Sequence, residues 1–462
     1  MSENSAAGDA AAQAAVTVAR ATGASAGRSI GGSIGGLLSG VTGGSAGGAT
    51  GNWRKAGVAG AAIGVIAAGA AAGVAIERLT VGRGMRRKAR LALDASGPYG
   101  TLRGRPGKAL ADDGTELYYE ADEIEPESGG MAAAGSGAGA SPGSGAGSGG
   151  APSPRRRRLF GRRTPAPVTV VFSHGYCLNQ DAWHFQRAAL RGLVRTVHWD
   201  QRSHGRSGRG VAQQGPDAVA VSMDQLGRDL KAVIDAAAPE GPLVLVGHSM
   251  GGMTMMALAD QYPELVRDRV VGVALVGTSS GKLGEVNYGL PVAGVNAVRR
   301  VLPGVLKALG SQAELVERGR RATADLFAGL IKRYSFSSKD VDPAVVRFAE
   351  RLIESTPIDV VAEFYPAFVD HDKAHALPVF LEVPALVLAG ESDLVTPSSH
   401  SEAIGDLLPD AELVLVPDAG HLVMLERPEA VTDRLADLLA RVGAMPAAAN
   451  VGTHGSTAQP GA

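Results

Sequence analysis

From Val168 onward the chain alternates short apolar runs with amphipathic stretches. Val168 to Phe172, Leu243 to Val246, Val270 to Val276, Ala385 to Leu388 and Leu413 to Val416 are rich in Val and Leu, and Arg195 to Trp199 carries Val197 and Trp199 in a further short run. Continuous runs of that kind read as strands buried on both faces. The segments between them, for example Ser222 to Ala238 and Glu429 to Val442, carry apolar residues at helical spacing. Strands that alternate with helices predict a parallel sheet covered on both sides. Upstream, Leu110 to Glu120 reads as a hairpin turning at Asp113-Gly114.

The alternation stops between Ser279 and Val383. Apolar spacing through Val298 to Leu309, Ala313 to Ile331 and Val345 to Ile353 is helical there. A structureless loop of that length does not belong inside a compact domain. Residues 280–383 are therefore expected to form a helical cap inserted between two strands of the sheet.

Other stretches have too little apolar bulk for a core. Residues 1–55 are mostly Ala, Gly, Ser and Thr and are expected to be a disordered arm, as are the last residues, 443–462. Residues 128–166 combine a Gly/Ala/Ser/Pro tract with Arg155 to Arg158, Arg162 and Arg163. They read as a flexible basic insertion within the domain, which costs little because closure entropy grows slowly with loop length. The basic run is either a contact for an anionic membrane surface or an ordinary solvated charge run.

Ala56 to Ile76 runs without a charge, and basic residues stand on both sides. Length and flanks predict a single membrane-spanning helix, with 77–107 as a basic juxtamembrane linker. The larger share of Lys and Arg follows the segment, which places the rest of the chain on the cytoplasmic side. The alternative is a Gly/Ala-rich arm on a soluble cytoplasmic protein. Net charge is −1 at pH 7, so nothing global points to nucleic acid. Cys177 is the only cysteine, which excludes an intramolecular disulfide and a thiolate metal cluster.

Candidate chemistry sits where the pattern places loops at strand ends. Gly247-His248-Ser249-Met250-Gly251-Gly252 follows one apolar strand and precedes a helical stretch. Such a strand–turn–helix raises a serine hydroxyl above the sheet at the positive end of a helix. Asp393 follows the Ala385 to Leu388 strand, and His421 follows the Leu413 to Val416 strand. With His174-Gly175 after the first parallel strand and Asp200 to Ser207 after the next, residues 108–442 resemble an α/β-hydrolase-fold serine hydrolase of the esterase and lipase kind. The fold class expected is α/β: a mostly parallel, doubly wound sheet with an inserted helical cap.

That resemblance implies roles. Ser249 would be the nucleophile, His421 its base and Asp393 the group that orients His421. Backbone N–H groups of Met250 and Tyr176 would form the oxyanion hole, with Cys177 the neighbouring alternative to Tyr176. Glu391, Asp370 and Asp372 compete with Asp393. His174, His204 and His248 are read as loop-shaping residues, and His371 and His375 as surface histidines near the cap junction. Histidine spacing matches no zinc signature, and no Gly-rich phosphate loop follows the first parallel strand, so no metal and no cofactor are expected. The substrate expected is a lipid-like or small apolar carboxylic ester. The same triad would also serve an amidase, a thioesterase or a haloperoxidase-like perhydrolase. A non-catalytic, membrane-tethered binding module is the reading from another class.

Overall fold

The computed structural model describes residues 98–125, 166–215, 218–286 and 332–445. Within them lies an eight-stranded sheet of order β1-β2-β4-β3-β5-β6-β7-β8. The antiparallel hairpin of β1 (Arg105–Leu110) and β2 (Glu116–Asp122) joins the sheet through antiparallel pairing of β2 with β4 (Arg195–Trp199). From β4 onward every pairing is parallel: β3 (Thr169–Ser173), β5 (Leu243–His248), β6 (Val270–Val276), β7 (Ala385–Gly390) and β8 (Glu412–Val416). The strands expected from the apolar runs are all present. The hairpin strands extend further outward than Leu110 to Glu120, since Arg105 pairs with Ala121, and Ala121 and Asp122 pair with Val197 and Thr196 of the neighbouring strand.

Every residue of β3, β5 and β7 is buried, because helices cover both faces. On one face Phe172, Val246, Val276 and Leu388 share a core with Leu190, Leu435 and Leu438. Leu190 ends α1 (His184–Leu190). On the other, Val171, Leu245, Leu275 and Val387 pack with Leu230, Ile234, Met255 and Leu258. Those partners belong to α2 (Met223–Ala237) and α3 (Met250–Gln261). Helix α2 starts at Ser222, whose side chain accepts the Gln225 N–H and so satisfies one orphan donor. The short α4 (Pro263–Arg269) leads into β6.

Beyond β6 the described chain resumes at Lys332 and forms α5 (Pro343–Glu354) and α6 (Ile358–Val369). Both fall within residues 280–383, where the helical cap is expected. The candidate helices within 298–331 lie outside the described residues, as do 56–76 and nearly all of the 128–166 insertion. Among the described residues no helix is long and apolar enough to cross a membrane. After β7 come α7 (Ser398–Leu407), and after β8 the single turn α8 (Val423–Glu426) and the closing α9 (Pro428–Arg441). Packing reaches N-terminal of Lys108: the Tyr99 ring lies 5.2 Å from that of Phe185 and 5.7 Å from that of Phe348.

Buried charge ties the hairpin to the sheet. Arg187 bonds Asp122 at 2.7 Å and Glu120 at 2.8 Å, with all three side chains nearly free of solvent contact. Arg202, after β4, spans Asp229 on α2 at 2.6 Å and Asp113 in the hairpin turn at 2.8 Å. The fork of a guanidinium satisfies two carboxylates at once, so the β4 loop is anchored from two directions.

Candidate active site

Sheet order determines where the site lies. The chain crosses from β3 outward to β4, then returns to β5 on the other side of β3. Loops leaving β3 and β5 therefore diverge and open a crevice at their C-terminal ends, the usual ligand position in a doubly wound sheet. Ser173 and Gly247 are paired in register at that end. Residues 174–178 and the Ser249 turn are thus neighbours.

Ser249 is the turn between β5 and α3, with φ 52° and ψ −118°. A positive φ is uncommon for a residue with a Cβ and must be held by its surroundings. Here the Ser249 N–H donates to Val276 O at 2.9 Å, and its carbonyl accepts from the Thr278 hydroxyl at 2.7 Å. Both partners belong to β6 and its following loop. The turn is also close to β3: a Cβ on Gly251 would lie 2.2 Å from Ser173 O, so only glycine fits.

Asp393 and His421 meet although 28 residues separate them. His421 Nδ1 donates to Asp393 Oδ2 at 2.8 Å. Asp393 Oδ1 accepts the N–H groups of Val395 (2.7 Å) and Thr396 (2.9 Å), and Thr396 Oγ1 lies 2.9 Å from Oδ2. Burial pushes this carboxyl up, but the His421 charge and these hydrogen bonds outweigh it and leave its pKa below the ordinary value. The rival acids are elsewhere: Glu391, Asp370 and Asp372 are exposed, and none is bonded to His421 among the described residues.

His421 also meets the Ser249 turn. Its ring centroid is 4.8 Å from that of His248, and its carbonyl oxygen accepts from His248 Nε2 at 2.9 Å. Among the described residues the Ser249 hydroxyl makes no hydrogen bond to His421. A loose nucleophile–base contact is common before substrate arrives. Ser249, Asp393 and His421 are 6%, 3% and 9% exposed, so the group sits beneath the surface.

The two expected N–H donors lie in the loops after β3 and β5, at the same end of the sheet. Met250 is the first residue of α3, so its N–H has no acceptor within the helix. In the β3 loop the Tyr176 N–H makes no hydrogen bond among the described residues, whereas Cys177 N–H donates to His204 Nε2 at 3.3 Å. The contact with His204 favours Tyr176 over Cys177 as the available donor. The Tyr176 hydroxyl donates to Val361 O on α6, and its ring lies 4.7 Å from Phe368. With Met250, Met253, Val286, Val360 and Phe364 it borders an apolar cluster beside the Ser249 turn.

Neighbouring histidines are neutral supports. Burial lowers His174 and His248 to about 3 and His204 to about 4. His174 Nε2 accepts the Gln201 N–H at 2.9 Å, and the Gln201 side chain links onward to Thr254 on α3. His371 departs from expectation. It is buried, and its Nε2 bonds Ser279 O at 2.9 Å. The segment between α6 and β7 carries it against the loop that follows β6, where Lys373 N–H also bonds Ser280 O. His375 is exposed and pairs with Asp260. Thr396 was not singled out from the sequence. The signal was its place three residues after Asp393, the spacing at which an aspartate closes a local turn. Among the described residues no group of three or more His, Cys, Asp or Glu is placed to hold a metal ion.

A family model described as alpha/beta hydrolase fold matches residues 168–428, and the chain belongs to that family. Among curated relatives, it is 32% identical over 278 residues to an sn-1-specific diacylglycerol lipase of Mus musculus, covering 59% of this chain and 80% of that protein. It is 25% identical over 277 residues to a 2-hydroxy-6-oxo-6-(2'-aminophenyl)hexa-2,4-dienoic acid hydrolase of Metapseudomonas resinovorans, covering 60% of this chain and 84% of that protein. Among solved structures, an esterase from Rhodococcus superposes with a TM-score of 0.51 at 19% identity, covering 73% of this chain and 100% of that one. A thermophilic esterase from Thermogutta terrifontis gives 0.50 at 22% identity, with 73% and 99% covered. The structural matches show the fold, and the family and its relatives support a hydrolase role.

Proposed function

We propose that this chain is a serine hydrolase that cleaves carboxylic esters through an acyl-enzyme, using Ser249, His421 and Asp393. The observation that carries the reading is the 2.8 Å bond from His421 Nδ1 to Asp393, with the imidazole packed against the strained turn that presents Ser249. With Nδ1 holding a proton toward Asp393, Nε2 is left unprotonated and can accept one. His421 takes the Ser249 proton as Oγ attacks the ester carbonyl. N–H groups of Met250 and Tyr176 stabilise the oxyanion. His421 then protonates the leaving alcohol and afterwards activates water to release the acid. The apolar residues beside Met250 favour an apolar acyl or alcohol group, and a helical cap over residues 280–383 would close around it.

Labelling by a fluorophosphonate probe tests this. Wild type should label and Ser249→Ala should not, with loss of p-nitrophenyl ester hydrolysis on the order of 10³-fold or more. A folded wild-type chain that never labels favours the binding-module reading. A membrane tether at 56–76 is supported by its uncharged run and basic flanks. The tether predicts that the full chain stays with membranes after alkaline carbonate washing and that deletion of 56–76 releases it.

A further inference from the structure

Four hydrogen bonds link the backbone on either side of His421 to residues 335–338, and one buried carboxylate accepts three of them. Glu426, the last residue of α8, is 6% exposed. Its Oε2 accepts the Gly420 N–H at 2.6 Å, and its Oε1 accepts those of Ser337 at 3.0 Å and Ser338 at 2.7 Å. Among the described residues no Lys or Arg side chain pairs with it, so backbone N–H groups alone meet its acceptors. On the other side of His421, Leu422 N–H donates to Ser335 O at 2.9 Å. The two segments also touch directly: a Cβ on Gly420 would lie 2.9 Å from Ser335 O and the Ser337 nitrogen.

Residues 335–338 lie within the stretch where the cap is expected and lead into α5, and Phe336 is buried in the same core as Ala419 and Leu422. The loop bearing His421 is therefore fastened to the strip of chain that enters α5. We infer that Glu426 is a positioning residue for His421, clamping the base loop to residues 335–338 so that the imidazole meets Ser249. The inference rests on the Ser249–His421–Asp393 reading proposed above. Asp393 fixes the ring from its Nδ1 side, and His248 holds the His421 carbonyl. Glu426 fixes the backbone between them, and a displacement of about 1 Å in such a group costs on the order of 100-fold in rate.

Glu426→Gln is nearly isosteric but has one acceptor oxygen where three N–H groups converge, so its NH₂ must face at least one of them. Gly420→Ala loosens the same clamp from the opposite side without adding a buried polar group. Both variants and their double would be measured in the full chain on p-nitrophenyl butyrate. Rates are divided by fluorophosphonate-titrated sites, and thermal unfolding is followed in parallel. We expect kcat per titrated site to fall roughly 10- to 100-fold in each single variant, with KM within about two-fold. The labelling rate should fall alongside, and the double variant should be no slower than the worse single one, since both act on one contact. Unchanged kcat per titrated site in either folded single variant, with only a lower unfolding temperature, would make the clamp merely structural and overturn the inference. Ser249→Ala runs beside them. If it keeps wild-type hydrolysis, the catalytic reading itself fails. If it is inactive while Glu426→Gln and Gly420→Ala turn over normally, the reading stands and the clamp does not.

Discussion

Replacing Asp393 with Asn should leave the fold intact and stop turnover. Asp393 Oδ1 is held by the N–H groups of Val395 and Thr396, so in the variant the carbonyl oxygen must occupy that position. The reverse orientation would aim an NH₂ at two buried N–H groups, and each donor left unsatisfied costs about 1–3 kcal/mol. The Asn NH₂ therefore takes the place of Oδ2, 2.8 Å from His421 Nδ1. An NH₂ there donates to Nδ1 and pushes the ring proton to Nε2, the atom that must be free to accept from Ser249. A wrong tautomer of this kind costs on the order of 10⁴-fold in kcat in serine proteases with the same triad, or about 5 kcal/mol. The assay is kcat and KM on p-nitrophenyl butyrate, with circular dichroism to show that the variant is folded. KM should move by no more than about three-fold, because Asp393 lies behind the base and away from substrate. A folded Asp393→Asn variant retaining a tenth or more of wild-type kcat would refute the assignment of the acid, and Glu391→Gln would then be the next variant to assay.

Three further perturbations follow from contacts already described. Burial lowers His371 from the ordinary 6.5 to about 4, so between those values the unfolded chain binds a proton that the folded chain excludes. Stability from this group is complete above about pH 6.5 and is lost as pH falls toward 4; relative to His371→Gln, wild type should lose up to about 1.4 kcal/mol per pH unit in urea unfolding, and parallel pH curves for the two proteins would contradict this. Arg202→Met strands Asp229, which is fully buried with it, and should cost about 3–5 kcal/mol in the same assay; a loss below about 1 kcal/mol would show that the pair is dispensable. Tyr176→Ala keeps the backbone N–H but removes a ring from the apolar cluster beside Met250, so KM for butyrate esters should rise several-fold with kcat nearly kept, whereas a collapse of kcat alone would mean that the side chain acts in the transition state.

Strand positions and the Ser249 turn were legible in the sequence because both are local. A buried parallel strand has to be apolar on both faces, so Val170 to Phe172, Leu243 to Val246 and Ala385 to Leu388 declare themselves by composition. A serine between a strand and a helix start, flanked by glycines, needs only its own neighbours to be recognised. Asp393 and His421 were readable as residues at strand ends, and their partnership followed from the family pattern. What no local pattern carries is which groups meet across the sheet. Contact between Asp393 and His421 depends on β7 and β8 being adjacent, and the nearness of Tyr176 to Ser249 depends on β5 returning beside β3. The burial of His371 and the grip of Glu426 on Ser337, Ser338 and Gly420 depend on how the chain between β6 and β7 packs against the loops after β6 and β8. The sequence determined the strands, the turn and the inventory of reactive groups, since burial and backbone strain act within a few residues. Only the tertiary structure decided the partners, because hydrogen bonds between distant residues are specified by strand order and loop path.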